Sequence, residues 1–430
     1  MIYLLIIVLL LAIYQAFDYS IRSEDSIKVI VLFVLFAFVY YLGIIFEMQI
    51  KGTSIGAFGI IINERVRLII LSMGILSIAG FSSGYLVSGF KFKDSLKSDL
   101  LFSDILVVTV VVLTSISGIL LFVVFTDSIL NSSSSYSGNF TETYSNPVYA
   151  FLKEIFTYGL AILISVLANG SRNRKLIALV PTIILIVFGM ITSDKDPILL
   201  SVLGWGVAFF YRLTQLRLQT KRTYFITLIL MSLIIPALSL LFSMYRTDAI
   251  KEFSKQLGIN GLYTYFDASG PYESLVSVIE DPNIHFEYGK TYYWGFIGWI
   301  PKSVWQGRPL DLSESYAKEK IRNWQPGQGL GYSLLAEAYK NFGVAGALIQ
   351  YFMIGLLFGF FGKLFMWLFK NKSEVGYLFY IWLAYNLAIM HRGPFNLPSS
   401  FIRFLLPFLL SYWSLDILFQ FYARWRSKRV

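Results

Sequence analysis

The chain has 430 residues, of which 56% are hydrophobic and only 14% charged, with no cysteine and a formal net charge of +10. A water-soluble domain needs about a quarter of its residues charged to cover its surface, so an ordinary cytosolic enzyme is excluded. Without cysteine, disulfides, thiolate metal sites and cysteine nucleophiles are excluded as well, and chemistry must come from carboxylates, Arg, Lys, Tyr, Ser or the two histidines.

A helix needs roughly 20 apolar residues to cross the hydrocarbon core of a bilayer. In chain order, apolar runs over about 2–16, 28–47, 66–89, 104–126, 148–168, 176–192, 198–212, 223–245, 343–369, 375–391 and 401–421 predict eleven spanning helices. The first run reads as a retained span rather than a leader, since no basic segment precedes it and no small-residue cleavage pattern follows. The pattern predicts an all-α polytopic membrane protein with three parts: helices over 1–245, a large loop domain over 246–342, and helices with a basic tail over 343–430.

Basic residues in short loops set orientation. Alternate connections and the C-terminal tail hold eighteen Lys and Arg, including Arg172, Arg174, Arg217 and Arg424. The opposite connections hold five, among them Lys51, Lys195 and Arg392, and include the Ser-rich stretch 131–146 with no basic residue at all. The first set is therefore expected to be cytoplasmic and the 246–342 insert extracytoplasmic. That insert carries 10 basic and 11 acidic residues, so it is no clamp for a phosphate backbone, and nucleic acid drops out as a partner. No internal repeat of the kind common in secondary transporters appears.

The insert is aromatic, with nine tyrosines and four of the nine tryptophans. Flat rings beside polar groups suit either sugar stacking or a membrane-interface belt. Ionisable residues at the outer ends of the predicted spans are sharper signals, because charge near the bilayer is costly and usually has a partner or a task. They are Lys195, Arg246, His391, Arg392 and Arg403. Guanidinium groups gathered at an outward lipid surface fit a pyrophosphate, which they grip bidentately. Arg can then neutralise a departing pyrophosphate as Mg²⁺ does elsewhere, so no metal or other cofactor is expected. Transfer to a hydroxyl also needs a base. His391 is the first candidate, Glu337 the second, and Asp194 or Asp196 the third, while His285 reads as solvated. Ser333, Glu337 and Lys340 share a predicted helix face by spacing, a face suited to an acceptor sugar.

The segment Pro301-Lys-Ser-Val-Trp-Gln-Gly-Arg-Pro309, with Lys302 and Arg308, is followed by Gly329-Leu-Gly-Tyr-Ser-Leu-Leu-Ala-Glu-Ala-Tyr-Lys-Asn-Phe-Gly343. Together they resemble the Wzy-type oligosaccharide repeat-unit polymerases of O-antigen and capsule pathways. In those proteins a late extracytoplasmic loop leads through a Glu-Ala-Tyr-x-Asn-Phe-Gly stretch into the next span, matched here by Glu337, Ala338, Tyr339, Asn341, Phe342 and Gly343. The hydropathy profile extends the likeness over most of the chain. The resemblance implies a GT-C-like glycosyltransferase of the bacterial cytoplasmic membrane, working on its outer face. It would use undecaprenyl-pyrophosphate-linked oligosaccharides as donor and acceptor, alongside a chain-length regulator protein. It also implies that Arg246, Arg392 and Arg403 hold pyrophosphate, with Lys195, Lys302, Arg308 and Tyr339 as further substrate contacts. Lys195 departs from the family pattern, since it stands between Asp194 and Asp196 where relatives often place Arg. Two other readings stay open: an O-antigen ligase with a different acceptor, and a lipid-linked oligosaccharide flippase, which would need charge inside the membrane that these runs lack.

Overall fold

The structure is a computed structural model that describes residues 7, 11, 33, 37, 54–55, 60–88, 104–131, 147–169, 171–191, 270–300, 304–322, 324, 329–371, 373–391 and 393–427. Apart from a two-residue antiparallel ladder between β1 (Ser54–Ile55) and β2 (Ile60–Ile61), its elements are helical. The long helices are α1 (Glu64–Val87), α2 (Asp104–Asn131), α3 (Pro147–Asn169) and α4 (Arg172–Ile191). Short helices α5 (Gly270–Glu280), α6 (Tyr292–Ile297), α7 (Leu312–Lys320) and α8 (Leu334–Phe342) follow. The chain then enters α9 (Val344–Asn371), α10 (Ser373–Ile389), a single turn α11 (Leu397–Ser400), a π-helical turn (Phe401–Leu405) and α12 (Leu406–Ser427). Seven of the eleven predicted runs are helices here. The runs 2–16, 28–47, 198–212 and 223–245 lie outside the described residues, apart from the isolated helical positions 7, 11, 33 and 37.

Among the described residues, four helices are long and apolar enough to cross a membrane: Glu64–Val87, Asp104–Val124, Val344–Leu364 and Leu397–Tyr422. In lipid, apolar side chains gain little by leaving their surroundings, so helices associate through small residues that let backbones approach. The α1–α9 contact is built this way. A Cβ placed on Gly84 of α1 would lie 2.0 Å from the carbonyl oxygen of Phe352, and one on Gly355 of α9 would lie 2.2 Å from that of Phe81. Phe33, Phe81, Tyr351 and Phe358 fill the space beside this crossing, with Phe33 stacked on Phe81 at 3.8 Å between ring centres. Elsewhere the buried phenol of Tyr158 in α3 donates to the Leu378 carbonyl of α10, and the Trp382 indole of α10 donates to Ser400 Oγ at 3.0 Å. These bonds fix α10 between α3 and the start of the last span.

Local chemistry sets the helix ends. Asn63 Oδ1 accepts from Val66 N at 2.9 Å to open α1, and Asp311 and Glu314 form a reciprocal capping box on α7. Between α8 and α9 the chain turns at Gly343, whose φ of +63° is a conformation that side chains disfavour. That turn hands the chain from the short helices into a span without a loop.

Candidate functional site

Two polar clusters sit at the two ends of α6. The first is centred on α8. Ser333 opens α8, its hydroxyl accepting from Ala336 N at 3.1 Å, and its own N–H donates to Ser274 Oγ of α5. Glu337 lies one turn on, fully buried, and its carboxylate is met from three directions. Thr291 Oγ1, just before α6, donates to Oε1 at 2.8 Å. The Phe395 N–H, in the connection after α10, donates to Oε2 at 2.6 Å. Gln350 Nε2 of α9 reaches the same Oε2 at 3.4 Å.

Asn341 completes this knot. Its amide nitrogen donates to Thr291 Oγ1 at 2.7 Å and to the Glu337 carbonyl at 2.9 Å, while its Oδ1 accepts from Gly289 N at 2.7 Å. The Glu287 and Tyr288 N–H groups donate to the carbonyls of Lys340 and Asn341, so the 286–291 loop covers carbonyls that a helix end leaves orphaned. The Glu-Ala-Tyr-x-Asn-Phe-Gly stretch thus has a physical reading: an internal acceptor, the residue that braces it, and the glycine that turns the chain into α9. Burial pushes the Glu337 carboxyl up to about 7, with the bonds from Phe395, Thr291 and Gln350 holding it lower than burial alone would. The expected polar face of Ser333, Glu337 and Lys340 takes another form, with Ser333 spent as a helix cap and Glu337 turned inward. Tyr339 is half-buried, its ring 6.5 Å from that of Phe286.

The second cluster lies at the other end of α6, about 10 Å along a helix axis from Thr291 to Gly298 at 1.5 Å per residue. Arg308 Nη1 donates to the carbonyls of Gly298 and Ile300, both at 2.8 Å, and its guanidinium lies 5.4 Å from the centre of the Trp294 ring. Arg403, in the π-helical turn, sends Nη2 to the same Gly298 carbonyl and Nη1 to Glu154 Oε1 of α3 at 3.2 Å. Two guanidinium groups thereby converge on one carbonyl. Burial and the neighbouring Arg403 charge lower the Arg308 pKa, while Glu314 and Asp311 raise it. Several buried atoms here have no hydrogen-bond partner among the described residues: Arg308 Nε, Glu154 Oε2 and Trp294 Nε1. The π-helical turn matters because such turns are rare and concentrate at functional sites. Ser399 Oγ, at the start of the same span, donates to the Gly295 carbonyl at 2.7 Å, welding α6 to it.

Of the residues expected from sequence, Arg308 and Arg403 come together, and Glu337 stands at the opposite end of α6. His391 is 1% exposed, with the Phe33 ring at 5.2 Å and the Tyr351 ring at 6.5 Å. Lys195, Arg246, Lys302 and Arg392 lie outside the described residues, as do Asp194 and Asp196. Glu154 and Thr291 were not among the expected residues. A lone carboxylate inside the apolar run 148–168 was the available signal for Glu154. Among the described residues no three His, Asp or Glu side chains gather as metal ligands would.

A family model for the O-antigen polysaccharide polymerase Wzy matches residues 1–420. The chain belongs to this Wzy family. Comparison with curated proteins gives no match, and comparison with solved structures gives none either. Membership covers nearly the whole chain, so the long apolar helices and the short helices between them are parts of one multi-pass membrane polymerase of the glycosyltransferase type. Lipid-linked oligosaccharides are the substrate class that Wzy membership suggests.

Proposed function

We propose that this Wzy-family protein joins undecaprenyl-pyrophosphate-linked repeat units at the outer face of the bacterial cytoplasmic membrane, with Arg403 and Arg308 gripping the pyrophosphate. A hydroxyl oxygen of the acceptor unit attacks the anomeric carbon of the donor. The bond from that carbon to the pyrophosphate oxygen breaks, and the pyrophosphate leaves with the electron pair, its charge taken up by guanidinium groups in place of a metal ion. The hydroxyl proton goes to a buried base. Glu337 is the first choice for it, because its carboxyl titrates near neutrality, and His391 is the second. Arg246, Arg392, Lys195 and Lys302 are further cations for the same anionic substrate, and Tyr339 is a ring for its sugars. Eleven spans in a GT-C-like arrangement and a separate chain-length regulator complete the proposal.

One observation carries it: two guanidinium groups meet at the Gly298 carbonyl, beside the first turns of a membrane-crossing helix. That is where the headgroup of a lipid-linked sugar would sit, and Arg is the side chain suited to its forked oxygens. The test is to replace Arg403 and Arg308 with Ala in cells and profile the glycolipids. Single repeat units left on the carrier support polymerase function. Intact but unattached polymer would instead identify a ligase, and repeat units trapped facing the cytoplasm would identify a flippase. Normal polymer in both variants at equal expression would remove the arginine site.

A further inference from the structure

Glu154 has a place that the Wzy chemistry does not explain. It is the acidic residue of α3 that reaches Arg403, with Oε1 3.2 Å from Nη1, and its other oxygen is buried with no partner among the described residues. Arg403 and Arg308 share the Gly298 carbonyl, so two like charges are held side by side, and this carboxylate offsets one of them. Neither member of the ion pair is sealed off: the Arg403 side chain is 31% exposed and that of Glu154 20%. A carboxylate in this position imitates one oxygen pair of a phosphate, and a phosphate arriving at Arg403 must displace it or be repelled by it.

We propose that Glu154 is a resident anion that occupies Arg403 in the empty site and weakens its hold on a diphosphate, so that the spent carrier can leave. The inference rests on the reading of Arg403 as a diphosphate ligand. Glu154 is a positioning residue in this scheme. It acts through Arg403, and its removal has a sign opposite to that of a merely structural loss. A scaffold residue, once replaced, lets Arg403 wander and weakens binding. A resident anion, once neutralised, frees a guanidinium and strengthens it.

The experiment uses the full-length protein in phosphatidylcholine nanodiscs and measures binding of farnesyl diphosphate, a short polyprenyl diphosphate, at fixed salt. Glu154→Gln should bind it roughly two- to fivefold tighter than the wild type, the scale of one partly exposed ion pair, with stronger product inhibition and no gain in kcat. Glu154→Asp, which keeps the charge but draws it back from Arg403, should tighten binding in the same direction by less, and it serves if the Gln variant fails to fold. Unchanged or weaker binding in the folded variant overturns the resident-anion role. Arg403→Ala separates the two levels of the argument. If it binds farnesyl diphosphate as the wild type does, the arginine site itself is wrong. If it loses binding while Glu154→Gln gains nothing, only the role of Glu154 fails.

Discussion

The two ends of α6 carry opposite kinds of polar chemistry. At the Glu337 end both carboxylate oxygens are met by donors drawn from three separate elements. At the Arg403 end, Arg308 Nε and Glu154 Oε2 are buried with nothing to bond among the described residues. Leaving a buried polar group without a partner costs about 1–3 kcal/mol, so a fold does not keep such groups together without a gain elsewhere. The first cluster spends both oxygens of its carboxylate on bonds that hold the chain in place, although Gln350 Oε1 beside it has no partner among the described residues; in the proposed reading the second keeps donors for an arriving anion. A six-residue helix joins them, so the proposed base and the proposed anion grip are set at a fixed spacing.

The largest test of this contrast is Arg403→Ala. Losing one preformed donor to a developing negative charge typically costs on the order of 100- to 1,000-fold in rate. Polymer should therefore nearly vanish on gels at equal expression, and Arg403→Lys should restore only part because it lacks the fork. Glu337→Ala should do the reverse first. It strands the Phe395 N–H and the Thr291 hydroxyl, and unfolding stability should fall by about 2–5 kcal/mol, measured by thermal unfolding in detergent. An unchanged melting temperature would mean that the knot does not hold the fold.

The pH dependence sharpens the same distinction. Burial pushes the folded Glu337 carboxyl up to about 7 from its ordinary 4.5. Between these values the unfolded chain releases a proton that the folded one keeps, so stability falls as pH rises through this window, by about 3 kcal/mol at the upper end. Activity that needs the ionised carboxylate should rise over the same range, and kcat/KM should level off above about pH 7. Opposite slopes in melting and in rate, both flattened in Glu337→Gln, would tie the two properties to one group. The smallest effect should come from Arg174→Ala. Its partner Asp104 is 80% exposed across a 2.8 Å ion pair, and such surface pairs contribute about 0–1 kcal/mol. A large loss there would mean that surface charge, rather than the two clusters, sets stability.

Periodicity and hydropathy were enough to place seven of the helices, since an apolar run of spanning length has few other fates. Arg403 was legible as a charge amid apolar residues, which needs an explanation, and Glu337 through the Glu-Ala-Tyr-x-Asn-Phe-Gly stretch that holds it. Thr291 was not, because its bond to Glu337 joins positions 46 residues apart, and the Arg403 to Glu154 pair joins positions 249 apart. Neither separation leaves a local pattern. His391 stands beside Arg392 in sequence, which is what singled it out, and in space it lies against the rings of Phe33 and Tyr351. The α1–α9 crossing was written in the chain as Gly80 and Gly84 against Gly355 and Gly359, each pair four residues apart, a small-residue spacing that hydropathy alone passes over.

The π-helical turn at Phe401–Leu405 amounts to one residue inserted into an otherwise α-helical span. Cutting a single residue from it would restore ordinary winding while leaving the phase of both flanks intact, so Ser399 would still face α6 and Leu410 and Trp413 would still face outward. Only the aim of Arg403 would change. In this span the aim of Arg403 and the capacity to cross a membrane are separable by one residue.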